Sequence, residues 1–118
     1  MNAYGSHPYF FYVVKDEQGV KDLYYGATYK EHLVEIPIEY QDIDNSWNLI
    51  FALNEELSLL IDIYECVEIP SDKLPHDLII AERVIAKEES AEKVASMSVF
   101  VAAIKTAISY NSPLLIWW

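Results

Sequence analysis

Residues 31–72 read EHLVEIPIEYQDIDNSWNLIFALNEELSLLIDIYECVEIPSD, and the fold turns on how this stretch is organised. Its first part alternates. Val34, Ile36, Ile38 and Tyr40 fall on one side of an extended chain, and Glu31, Glu35 and Glu39 on the other. Period two predicts a strand over His32–Tyr40 with one buried and one acidic face. Pro37 has no N–H for a ladder, so the strand belongs at an edge or carries a bulge. The three carboxylates then form a row at spacings of roughly 13 Å.

The second part is ambiguous. Gln41–Ser46 (QDIDNS) predicts a loop. Trp47–Leu53 (WNLIFAL) fits a helix capped by Asp44 or Ser46, or a strand with Trp47, Leu49, Phe51 and Leu53 on one face. The strand is preferred because the next run alternates too: Leu57, Leu59, Ile61, Ile63, Val67 and Ile69 share a side. Asn54-Glu55-Glu56 then becomes a hairpin turn.

N-terminal to this stretch, Pro8–Lys15 (PYFFYVVK) is aromatic and β-branched on both sides, which predicts a central strand. Asp16–Gly19 predicts a turn with Gly19 free to take positive φ. Val20–Tyr29 predicts a second strand, with Gly26 at a bulge.

C-terminal to it, Pro70–Pro75 reads as a linker. Asp77 starts a helix running to about Glu89, although LIIAERVIA (78–86) would also suit a strand. Ser90 is a good N-cap for a helix over Ala91–Tyr110, in which Val94, Met97, Val101, Ile104 and Ile108 recur at helical spacing. Asn111 suits the left-handed position after that helix, and Pro113 prevents its continuation. Leu114–Trp118 predicts a last strand tied into the sheet. The expected fold is a single α+β domain over 1–118. An antiparallel sheet of about five to six strands, from the N-terminal half plus the C-terminal strand, packs against two C-terminal helices.

Charge is segregated along this order. The chain has 118 residues, nineteen acids and eight bases, a net charge of −11. Residues 31–72 hold eleven acids and no Lys or Arg, so the rest of the chain is balanced. With 53% hydrophobic residues, there is ample material for a core. Such acidity disfavours nucleic acid and anionic membrane, both polyanions. It favours solubility or a basic protein partner. A single cysteine, Cys66, allows no intrachain disulfide and suits a reducing cytoplasm. Its place in an expected strand predicts a buried, inert thiol. No signal-peptide pattern opens the sequence, and no apolar run approaches the roughly 20 residues of a membrane span.

No catalytic signature stands out. His7, His32 and His76 show no metal-ligand spacing with Cys, His or carboxylates. His76-Asp77 reads as a linker and helix-cap pair. Asp42-Ile43-Asp44 lacks the Gly and Glu that complete a calcium loop. No cofactor and no metal are expected. What remains is carboxylates interleaved with aromatics. The candidate partner-binding residues are Glu31, Glu35, Glu39, Tyr40, Asp42, Asp44, Trp47, Glu55, Glu56, Asp62, Tyr64 and Glu68. Tyr and Trp supply contact area while acids steer a basic partner and pair with its Lys and Arg.

In size, expected α+β organisation, and the acidic aromatic character of Glu31–Asp72, the chain resembles the small acidic immunity proteins of bacterial polymorphic-toxin systems, including those of contact-dependent inhibition. That resemblance implies a non-enzymatic inhibitor that binds a basic toxin domain, such as a nuclease, and occludes its active or substrate-binding surface. Two other classes stay open. One is an acidic adaptor or structural subunit of a homo-oligomer, joined through Trp117 and Trp118 or the Pro37 edge strand. The other is a small enzyme with carboxylate chemistry.

Overall fold

The structure is a computed structural model, and it describes residues 9–24, 31–62 and 66–118. Its elements run β1 (Tyr9–Val14), α1 (Glu17–Tyr24), β2 (Leu33–Ile38), α2 (Tyr40–Asn45), α3 (Trp47–Leu57), β3 (Cys66–Ile69), a 3-10 turn (Ser71–Lys73), α4 (Leu74–Lys87), α5 (Ala91–Ser109) and β4 (Leu114–Trp117). The four strands form one antiparallel sheet in the order β2-β1-β4-β3.

Several expectations hold. Pro37 lies on the edge strand β2, opposite Phe10 of β1. β1 is central and nearly all buried. β4 inserts between β1 and β3, with Phe11 facing Ile116 across one ladder and Ile116 facing Val67 across the next. Phe11 stacks its ring 4.8 Å from Phe100 and 5.7 Å from Trp118, joining sheet to helix at the centre of the core. Burying a side chain of that size stabilises by roughly 1.5–3 kcal/mol.

α5 is also as expected. The Ser90 hydroxyl oxygen accepts from the Lys93 N–H at 3.3 Å, and Asn111 takes a φ of 51° after the helix. Its buried face is rotated from the expected one. Ser96, Met97, Phe100, Ala103, Ile104 and Ala107 are buried, whereas Ile108 is exposed. The cause is position: α5 lies between the sheet, α2 and α4, so a wide arc is covered and the small residues Ala103 and Ala107 admit close neighbours. Beyond it, Ser112 is buried and accepts the Val14 N–H at 3.1 Å, fastening the end of β1.

Other expectations are corrected. The sheet has four strands among the described residues, not five to six. Val20–Tyr24 belongs to α1 rather than a second strand, and residues 25–29 of that expectation lie outside the described residues. Asp16 decides this locally: its Oδ1 accepts the Gly19 N–H at 2.9 Å, starting a helix. Its Oδ2 meets His32 Nδ1 at 2.8 Å. The His32 contact first, then the Gly19 N–H, hold the Asp16 carboxyl below its usual pKa. Gly19 is required for close approach rather than for positive φ, because a Cβ there would overlap the His32 carbonyl oxygen. Gln41–Asn45 belongs to α2 in place of a loop, with Ser46 between α2 and α3, and Trp47–Leu53 is helix in place of strand. Of Leu57–Ile69, only Cys66–Ile69 is a described strand, and Cys66 is exposed on it. α4 begins at Leu74, so Asp77 is not a cap but a fully buried side chain one turn inside the helix.

Candidate functional site

α3 builds the most conspicuous surface. Leu49, Ile50, Leu53 and Leu57 are buried at helical spacing against the core. Ser46 is buried at the helix start, its hydroxyl donating to the Asp42 carbonyl at 2.6 Å. That orientation sends Trp47, Phe51 and Glu55, each four residues apart, outwards. Trp47 is half-buried and Phe51 is 63% exposed, with ring centroids 5.6 Å apart.

The helix then reverses. Ser58 takes the left-handed conformation at φ 54°, and the Leu59 N–H returns to the Asn54 carbonyl at 3.2 Å. The Asn54 side chain clamps the returning chain from both sides. It accepts the Ile61 N–H at 2.8 Å and donates to the Ile61 carbonyl at 3.0 Å. Residues 59–62 therefore lie along α3 with Leu59 and Ile61 buried, while Leu60 is 84% exposed. Trp47, Phe51, Asn54, Ile61 and Asp62 line one shallow depression, which Leu60 extends. Asp62 is the carboxylate of this lining, and Glu55 follows one turn after Phe51 on α3; both are exposed, as is Asp44 on α2. An exposed apolar patch with a charged rim is the usual form of a docking surface.

The remaining candidates are placed elsewhere. Only Glu35 of the expected carboxylate row lies within β2; Glu31 precedes it and Glu39 caps α2, so the row does not form as a strand face. Tyr40 was expected to share the buried side, but it opens α2 and is 54% exposed, its ring 6.2 Å from Tyr9. Asp42 is turned inward: Oδ1 accepts from the Ser96 hydroxyl at 2.8 Å and Oδ2 from the Glu39 N–H at 3.4 Å. Glu56 is paired with Arg83 of α4. Glu35 stands opposite Tyr12 on the outer sheet face. Burial, then the charge and hydrogen bond of Glu35, push the Tyr12 hydroxyl above its usual pKa. Glu68 is exposed on the same face of β3. Tyr64 lies outside the described residues. Trp118 is buried in the core, leaving Trp117 as the exposed member of the pair.

The single acidic face expected from the sequence is thus divided between two layers. Asp44, Trp47, Glu55 and Asp62 belong to the helical layer, and Glu35 and Glu68 to the far side of the sheet. The physical reason is that Trp47–Leu57 coils into a helix packed on α4 instead of joining the sheet. Phe51 and Leu60 are the site residues the sequence reading missed. The one available signal was that Phe51 falls opposite Leu49, Ile50 and Leu53 on a helical projection.

Among the described residues, no group of three His, Cys, Asp or Glu is placed to hold a metal ion, and no helix is long and apolar enough to cross a membrane. Among the described residues, the carboxyl raised far, Asp77, lies in the buried face of α4 and not on this surface. No protein-family model, curated protein or solved structure matches the chain.

Proposed function

We propose that this chain is a protein-binding inhibitor that neutralises a basic toxin, such as a nuclease, by covering its active or substrate-binding surface. The observation that carries this reading is the surface of half-buried Trp47 with exposed Phe51 and Leu60, with Asp62 in its lining and Glu55 one turn after Phe51. Aromatic and aliphatic groups at the centre exclude water and supply the affinity. Carboxylates at the rim draw in Lys and Arg that otherwise hold phosphate. With a net charge of −11, steering of a basic partner raises association rates by about 10- to 1000-fold at low salt. Inhibition of this kind needs no chemistry from the inhibitor, only a fit and a blocked surface.

The test is capture of a partner from the native host, followed by kinetics. A basic protein whose association slows steeply with added salt supports the reading. Phe51→Ala or Leu60→Ala, both at exposed positions, should weaken the complex about tenfold or more while leaving the folding midpoint unchanged. A species that only self-associates, with no salt dependence, would instead indicate a homo-oligomeric subunit.

A further inference from the structure

A groove runs over the outer face of the sheet, on the far side from the α3 surface. Val14, Val20, Pro113, Leu115 and Trp117 are among its apolar walls, and Glu68 stands at its rim. Its volume is about 240 Å3. That is below the roughly 300–1,000 Å3 of small-molecule sites and is the scale of one long side chain. Cys66 pairs with Trp117 and Glu68 with Leu115, so Glu68 and Trp117 are diagonal neighbours on this face. Such a diagonal spans roughly 7–8 Å, within reach of one planar cation. The Trp117 ring is held at 80° to the Tyr12 ring, centroids 5.4 Å apart, and remains 39% exposed.

We propose that this groove receives an arginine side chain of a basic protein partner. The proposal rests on the reading of a basic partner but concerns a separate surface. The apolar walls cover the three methylenes of arginine. Its guanidinium stacks on the Trp117 indole and meets the Glu68 carboxylate. A purely apolar side chain would desolvate Glu68 without compensation, and an acidic one would be repelled. A second copy of this chain is disfavoured because each copy carries −11. Arginine is preferred over lysine because its planar, weakly hydrated head both stacks and bonds a carboxylate in two places.

The experiment uses the full chain, nitrogen-15 labelled, titrated separately with tetra-arginine, tetra-lysine and tetra-norleucine peptides. Tetra-arginine should shift the Trp117 indole signal and the amides of Glu68 and Leu115, and should bind more tightly than tetra-lysine. Glu68→Gln, an exposed change that spares the fold, should weaken it about fivefold. Trp117→Leu should do the same, and Phe51→Ala should have no effect. Diffuse shifts across all the carboxylates, unchanged by Glu68→Gln, would overturn the proposal. So would shifts centred on Trp47 and abolished by Phe51→Ala, or a preference for tetra-norleucine. Because the probe is a peptide and not the partner, the outcome stands apart from whether the α3 surface binds a toxin.

Discussion

Asp77 departs furthest from the habits of its residue type. It is fully buried, both carboxylate oxygens lack a hydrogen-bond partner among the described residues, and burial pushes its pKa up to about 7. In the unfolded chain it titrates near 3.8. Between those two values the folded protein holds a proton that the unfolded chain has released. The contribution of Asp77 to stability therefore falls as pH rises through that window and is flat above it. The gap corresponds to roughly 4 kcal/mol at most. Asp77→Asn should be more stable than the parent at pH 8, should lose that advantage near pH 4, and should show a flatter urea midpoint between them. An unchanged slope would show that another group sets it. Gly19 makes the opposite kind of demand. Gly19→Ala should cost about 1–3 kcal/mol, because the new methyl meets the His32 carbonyl just before β2. Chemical denaturation would read this directly.

At the scale of elements, α3 shows where the sequence was legible and where it was not. β1, β2, β4 and α5 follow from local signals: β-branched and aromatic runs, Pro37 at an edge, Ser90 before the long helix, and Asn111 and Pro113 after it. α1 did not, because its start depends on Asp16 bonding both Gly19 and the distant His32. α3 did not because Phe51 interrupts its polar side. With Phe51 apolar, the run alternates as well as it coils, and period alone decides nothing. The residue that obscured the helix is the one exposed at the candidate site, so a site residue cost the pattern its clarity. The division of the acids between two layers was equally hidden, since it follows from that assignment. Asn54 is the element's fastener. Asn54→Ala should release residues 59–62, giving faster hydrogen exchange at Ile61 and a loss of about 1–2 kcal/mol. Ser90→Ala should cost about 1 kcal/mol through loss of the α5 cap, measurable as a lower denaturation midpoint.

Over the whole molecule, the order β2-β1-β4-β3 sets a long wait into folding. Sequence separation favours β1 pairing β2 first and its other edge waiting for β4, which comes from about a hundred residues further along, Tyr12 facing Leu115. During that interval the open strand is Tyr-Phe-Phe-Tyr-Val-Val, a strongly adhesive sequence with an unpaired edge. The strand carries no charge of its own to keep other copies away. The surplus carboxylates supply that distance from elsewhere in the chain, acting between half-folded molecules before any finished surface exists. Refolding from denaturant should therefore give high recovery in dilute buffer. It should give increasing aggregate as added salt screens the repulsion beyond about 10 Å. The same charges that would draw a basic partner to the completed fold would first keep its unfinished copies apart.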